Sequence, residues 1–219
     1  MIDKIVASPE AALADVPHGA TIMIGGFGNA GMPAALIDAL IAQGASSLTI
    51  VNNNAGNGDT GLAALIKAKR VRKILCSFPR QADSWHFDAL YRAGELELEL
   101  VPQGTLAERI RAAGAGVGAF YTPTAYGTRL AEGKETRCID GRDYVLEYPV
   151  HADYAIIKAD RADRWGNLTY RKSARNFAPI MAAAARCTVV QVREIVALGA
   201  LDPEAVVTPG IFVKRVVRH

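Results

Sequence analysis

Cysteine is scarce in this chain. Its three residues, Cys76, Cys138 and Cys187, are odd in number, widely spaced and without a C-x-x-C pair. A disulfide framework is therefore excluded, and the expectation is free thiols in a reducing cytoplasm. No His and Cys residues stand at metal-ligand spacing, so no metal is expected. No apolar run reaches 18 residues, which leaves no candidate membrane helix. The start of the chain, Met1-Ile-Asp-Lys-Ile-Val-Ala-Ser-Pro9, lacks the apolar centre of a signal peptide. Charge of one sign is lacking too: 25 Lys and Arg against 22 Asp and Glu leave +3, with no long basic run. Nucleic-acid binding has no support in that balance. Repeats and low-complexity tracts are absent.

What is present centres on residues 21–33. Thr21 to Ile24 is β-branched and apolar, as a strand buried on both faces should be. Gly25, Gly26 and Gly28 then strip the strand's carboxyl end of side chains, so backbone amides can approach a ligand. Pro33 suits the first turn of a helix, which continues over residues 34–43 and stops at Gly44. A glycine loop between a buried strand and a helix N-terminus is suited to anions. It can also be no more than a tight turn. A dinucleotide site is a further reading, because Gly26-Phe-Gly-Asn-Ala-Gly31 matches G-x-G-x-x-G. That site needs an acidic residue about 20 positions on, at the end of the next strand. Here the strand over residues 47–51 ends in Asn52, Asn53 and Asn54, and the fingerprint fails on context.

Half of the residues are hydrophobic and 21% charged, which suits one large α/β domain with a sizeable core. A helix opens at Pro9 with Ser8 as its cap. Residues 52–61 form a polar loop at a strand's carboxyl end, where open α/β sheets place ligands. A helix over 62–68, a strand over 71–77 and a helix over 86–92 follow. Residues 95–101 alternate with period two, predicting a strand near an edge with three solvated glutamates. Residues 102–111 read as a turn and helix with a Thr105–Glu108 capping box, and residues 112–118 as a glycine-rich bend. From 121 to 150 the rhythm breaks, and a β-hairpin turning at Asp140-Gly141 predicts a β-rich insert. Strands over 154–158 and 187–192, with a helix over 179–185, resume the main pattern. The tail at 211–217 reads as a helical turn or a last strand.

Several of these stretches carry a resemblance. Gly25-Gly-Phe-x-x-x-Gly-x-Pro33 resembles the signature of the alpha subunit of family I coenzyme A transferases. Residues 53–56, 102–111, 127–128 with 132–134, 166–168, 173–177 and 207–210 resemble the same subunit, in family order and over nearly the whole chain. The resemblance implies an open three-layer α/β/α fold, with a mainly parallel sheet, in one domain over 1–219 with an insert at about 121–150. His18 departs from the family's usual Asp or Asn at a turn. Among the family's substrate classes, Cys76-Ser-Phe-Pro-Arg-Gln81 is most similar to enzymes acting on 3-oxoadipate, with acetoacetate enzymes the alternative.

The family attacks acyl-CoA with a glutamate, passing through a mixed anhydride to a glutamyl-CoA thioester. In split enzymes that glutamate lies in a Ser-Glu-Asn-Gly motif of the beta subunit, and this chain has no Ser-Glu-Asn. The resemblance therefore implies a beta-subunit partner, no nucleophile in this chain and no tightly bound cofactor, with coenzyme A entering as a thioester substrate. It implies coenzyme A binding by Gly25, Gly26, Phe27, Gly28, Asn29, Ala30 and Gly31. Gln103 is a candidate donor to an acyl oxyanion, or else a turn-stabilising side chain. Asn52, Asn53, Asn54 and Arg80 are candidates to hold substrate carboxylates, Arg80 against the distal one. Ser173, Arg175 and Asn176 read as a structural hydrogen-bond network, and His86 has no partner by spacing. Outside this family, a non-catalytic nucleotide-binding module and a nicotinamide dehydrogenase remain.

Overall fold

Parallel strands joined by helices make up most of the chain, and the computed structural model describes residues 2–219. Helix α1 (Pro9–Leu13) is capped by Ser8, whose hydroxyl accepts from the Ala11 amide at 3.2 Å. Strand β1 (Thr21–Ile24), helix α2 (Ala34–Gln43), strand β2 (Leu48–Val51), helix α3 (Leu62–Lys67) and strand β3 (Val71–Cys76) alternate as their apolar periods predict. Helix α4 (Trp85–Arg92) and strand β4 (Glu97–Leu100) complete that half. Gly44, at φ 93°, ends α2 in the left-handed conformation.

Helix α5 (Gln103–Ala115) leads to a separate antiparallel sheet of β5 (Phe120–Thr122), β6 (Thr136–Ile139) and β7 (Arg142–Glu147). Its β6–β7 hairpin turns at Asp140-Gly141, both at positive φ. Strand β8 (Ala152–Asp163) then re-enters the main sheet, with the short β9 (Leu168–Thr169) antiparallel to it. Helix α6 (Ala178–Ala184), strand β10 (Ala185–Val196) and strand β11 (Arg215–Arg218) finish the chain. The tail is both things foreseen, a 3₁₀ turn at Gly210–Phe212 followed by β11.

The main sheet runs β11-β10-β8-β1-β2-β3-β4, and every neighbour along that path is parallel. Alternate residues of β1 face opposite layers. Ile22 and Ile24 pack with Leu13, Leu36, Leu40, Leu65 and Phe87 of α1–α4, whereas Met23 packs with Leu106, Ile110 and Met181 of α5 and α6. This is the three-layer α/β/α arrangement. Each fully buried Leu or Ile contributes about 1.5–3 kcal/mol of transfer free energy, and cutting Leu40 to Ala would cost about 2–5 kcal/mol. The order reverses at β1: the chain moves outward to β4, then returns to place β8 on β1's other side. A crevice at the strands' carboxyl ends follows from that reversal.

Two local expectations need correction. The turn and capping box at residues 102–108 do not form, because α5 begins at Gln103 and buries Thr105 inside it, while Glu108 pairs with Arg111. Residues 112–115 remain helical rather than bending. Gly114 lets α5 touch α6, where a Cβ would stand 2.7 Å from that of Ala183. The edge glutamates are solvated as expected and also paired: Glu95 with Lys69, Glu97 with Arg72, Glu99 with Lys73 and Arg109. β4 is the edge strand that its alternation predicted.

Candidate functional site

The glycine loop leaves β1 inside the crevice. Gly25 N donates to Ile156 O of β8 at 2.9 Å, which holds the start of the loop between the two strands. Phe27 and Ala30 then exchange backbone bonds of 3.0 and 3.2 Å, closing a small hairpin with Gly28-Asn29 at its tip. The amides of Gly25, Phe27 and Ala30 are thus used internally. Among the described residues, those of Gly28 and Asn29 have no such partner.

One amide at the N-terminus of α2 is already taken within the fold. Gln191 Oε1, reaching across from β10, accepts from the Ala35 amide at 3.2 Å in a buried bond. Asn176 Nδ2 donates to Ala30 O at 2.9 Å, and Asn176 Oδ1 accepts from Phe177 N at 2.7 Å. Gly31, at φ 78°, packs so closely there that a Cβ would stand 2.4 Å from Ala174 O. The segment around Asn176 is a brace for the loop, as expected of a structural network.

The three asparagines after β2 are all buried, but they divide their tasks. Asn52 Nδ2 donates to Ile24 O at 2.6 Å and its Oδ1 accepts from Asn54 N at 2.9 Å, so it fastens the β2 loop to β1. Asn54 Oδ1 accepts from Gly56 N at 2.9 Å. Asn53 Oδ1 accepts from Gln103 Nε2 at 2.6 Å and from Ser77 Oγ at 2.8 Å. Asn53 thereby joins the ends of β2 and β3 to the first residue of α5.

These groups converge on a cleft of about 360 Å³ at the carboxyl edge of the sheet. Phe27, Gly28, Asn53, Asn54 and Gln103 line it, together with Ser77, Phe78 and Gln81. Its rim carries two phenyl rings unusually open to solvent, Phe27 at 50% and Phe78 at 57% exposure. No lining residue bears a charge. Cys76 ends β3 in the core and is no nucleophile, because burial pushes its thiol up to about 12.

Not every sequence candidate reaches the cleft. Asn52 stays beneath it. Arg80 stands beside it, pairing its Nε with Asp88 Oδ1 of α4 at 2.7 Å. His86 does find a partner, with Nε2 2.8 Å from Asp59 Oδ1, bridging α4 to the polar loop. Ser77, Phe78 and Gln81 were not singled out individually. Their signal was positional, since they follow β3 at the same end of the sheet as the other two loops.

Fold and cleft together define an open α/β protein with an uncharged, amide-rich cleft at the carboxyl ends of β1, β2 and β3. Residues 6–219 match the family described as Coenzyme A transferase, and the chain belongs to that family. It is 66% identical over 217 residues to one of the subunits of 3-oxoadipate CoA-transferase from Pseudomonas putida, covering 99% of this chain and 94% of that one. Identity to the like-named polypeptide of Acinetobacter baylyi is 67% over 217 residues, with coverages of 99% and 95%. Among solved structures, the CoA thioester complex of an acyl-CoA transferase from E. coli O157:H7 superposes with a TM-score of 0.86 at 22% identity. The match covers 99% of this chain and 50% of that one, so this chain spans half the length of that enzyme. That likeness shows the fold.

Proposed function

We propose that this chain is the alpha half of a coenzyme A transferase that moves coenzyme A from succinyl-CoA to 3-oxoadipate in aromatic-compound breakdown. The observation that carries the reading is the cleft itself. Residues from the glycine loop, the asparagine loop and the start of α5 meet there with amide donors and no carboxylate. The two relatives named for 3-oxoadipate, each about two-thirds identical over nearly the full chain, support that acid over acetoacetate.

In this reading the partner beta subunit supplies the glutamate from its Ser-Glu-Asn-Gly motif. That carboxylate attacks the acyl carbon of succinyl-CoA and expels the coenzyme A thiolate, leaving a mixed anhydride. The thiolate then attacks the glutamyl carbonyl, releasing succinate and forming the glutamyl-CoA thioester. The same steps in reverse load 3-oxoadipate. This chain contributes electrostatics. The Gln103 amide, steadied by Asn53, donates its second N–H to the oxyanion that develops on the acyl oxygen. The Gly28 and Asn29 amides meet the coenzyme A thioester, and Asn54 helps to orient the carboxylic acid.

Arg80 exchanges Asp88 for the distal carboxylate of 3-oxoadipate. Its present pair is half exposed, and such pairs are worth only about 0–1 kcal/mol, so the exchange is cheap. Acetoacetate, with one carboxylate, offers nothing to that guanidinium. The setting is cytoplasmic; no helix of the described residues is long and apolar enough to cross a membrane.

The test is to express the chain with and without a partner polypeptide carrying Ser-Glu-Asn-Gly and to assay transfer from succinyl-CoA to 3-oxoadipate. Activity should require both chains and disappear when the partner's glutamate becomes glutamine. Full activity from this chain alone would overturn the half-site assignment.

A further inference from the structure

The uncharged cleft is lined by two glutamine side chains, and the chemistry described so far uses one of them. Gln103 enters from the start of α5, and Gln81 from the loop after β3. Gln81 is half-buried and sits in a pair of loops that are stitched together. Ser77 N and Phe78 N both donate to Asn53 O, at 3.2 and 3.0 Å, and Gly58 N donates to Asp83 O at 3.0 Å. The buried Ser84 lies between the loops. Its Oγ accepts from Gln81 N at 2.9 Å and donates to Gly56 O at 3.1 Å, with Asn57 Oδ1 3.4 Å away.

This chain of bonds orients two amides. With its oxygen toward the Ser84 hydroxyl, Asn57 turns Nδ2 to Gln81 and donates to Gln81 Oε1. Gln81 Oε1 is thereby taken by a residue that does not line the cleft. Gln81 Nε2, with two N–H donors, has no partner among the described residues. The cleft is thus offered a neutral donor whose carrier is fixed by its other atoms. No lining residue is charged, so a carboxylate set against Gln81 would lose water without meeting a counter-charge. A neutral carbonyl oxygen suits that donor better. The Phe27 and Phe78 rings on the rim suit the apolar carbons beside such a carbonyl.

We infer that Gln81 is the residue that selects 3-oxo acids, its Nε2 donating to the keto oxygen at C3 while Gln103 meets the acyl oxygen at C1. The inference rests on the transferase reading above and adds to it the group that tells the acceptor acid from succinate. A 3-oxoacyl group carries two carbonyl oxygens with a single methylene between their carbons, and the cleft offers two carboxamides. Succinate has no keto oxygen and leaves Gln81 to water. The keto group is common to 3-oxoadipate and acetoacetate, so this contact is separate from the one assigned to Arg80.

The test uses the complex of this chain with its beta partner and three rates. Exchange of labelled succinate with succinyl-CoA involves no keto group; transfer to 3-oxoadipate and to acetoacetate does. Gln81→Met keeps the side chain's length and removes the donor. It should lower kcat/KM for both 3-oxo acids by up to about tenfold, with succinate exchange changing least. Asn57→Ala, which lets the Gln81 amide turn, should move the same two rates in the same direction by less. Equal falls in all three rates would mark a disturbed loop and overturn the inference, as would no fall for either acid. A fall confined to 3-oxoadipate would place Gln81 on the distal carboxylate and overturn the keto contact. Calorimetric titration with 3-oxoadipate and with adipate, which lacks only the keto oxygen, reads the contact without turnover. The parent complex should prefer 3-oxoadipate, and Gln81→Met should lose that preference. If the parent complex shows neither exchange nor transfer, the proposed function falls, and the keto contact stands or falls on this titration.

Discussion

Truncating Asn53 to alanine separates positioning from chemistry in the amide cluster. Its Oδ1 holds Gln103 Nε2 at 2.6 Å and Ser77 Oγ at 2.8 Å. Ser77 Oγ also has the Asn53 backbone oxygen at 3.0 Å, which the substitution leaves in place. The net stability loss is then one side-chain hydrogen bond, about 1 kcal/mol, or a fall of about 2–4 °C in Tm for a chain of this size. The kinetic effect is indirect. Gln103 is otherwise exposed, so without its acceptor the carboxamide samples several rotamers and donates to the oxyanion only part of the time. A free-energy loss of about 1 kcal/mol lowers kcat roughly fivefold, with KM for succinyl-CoA little changed. Gln103→Ala removes the donor outright, and losses of an oxyanion donor reach about 10²–10³ in kcat. The decisive measurement is the double-mutant cycle on the two-subunit enzyme, by initial rates with both substrates. If Asn53 acts through Gln103, then Asn53→Ala has no further effect on kcat once Gln103 is alanine. An Asn53 effect of the same size in both backgrounds would refute the coupling. So would an effect confined to KM.

Gly28→Ala should raise KM for succinyl-CoA in the complex. The residue sits at φ 57° with nothing within 4 Å of the new Cβ, so the methyl enters the cleft at a folding cost of about 1–2 kcal/mol. Unchanged kinetics in a folded variant would remove the loop tip from the site. Arg80→Ala should raise KM for 3-oxoadipate much more than for acetoacetate, and Asp88→Ala, which frees the guanidinium, should lower it; equal effects on both acids would dismiss Arg80 as the carboxylate reader. Acid stability carries a separate prediction. Arg215 grips both Asp15 oxygens at 2.6 Å and holds that carboxyl below its ordinary value of 3.8. A depressed carboxylate stabilises the fold above its unfolded value, and that contribution is lost as pH falls through the folded one. Between pH 4 and the acid midpoint, Asp15→Asn should therefore lose stability less steeply than the parent in urea melts, and parallel curves would count against the linkage.

Local chemistry determined much of this protein from the sequence alone. The β1–glycine loop–α2 unit follows from a β-branched run, three glycines that free the backbone, and Gly44 in the left-handed conformation as the stop. The Asp140-Gly141 hairpin and the edge position of β4 follow from turn chemistry and period-two alternation in the same way. Each of these signals spans about ten residues or fewer, so no distant partner is needed to read it. What depended on distant partners was illegible. Gln191 lies 156 positions from Ala35, yet its side chain takes up an amide in the first turn of α2. Asn52, Asn53 and Asn54 look alike in the chain; their roles diverge because Ile24, Ser77 and Gln103 converge on them from three strand ends. The capping-box spacing of Thr105 and Glu108 was present but overridden, since α5 starts at Gln103 and Thr105 is buried within the helix. A basic cleft joins Lys158 and Arg193 on neighbouring strands to Arg171 and Lys172 after β9, a meeting made by the parallel register of β8 and β10. Sequence fixes which groups are available within a turn or a strand. The crossing of β8 to the far side of β1 decides which of them face one ligand, because side-chain reach is a few ångströms and only the packed sheet brings such distant positions that close.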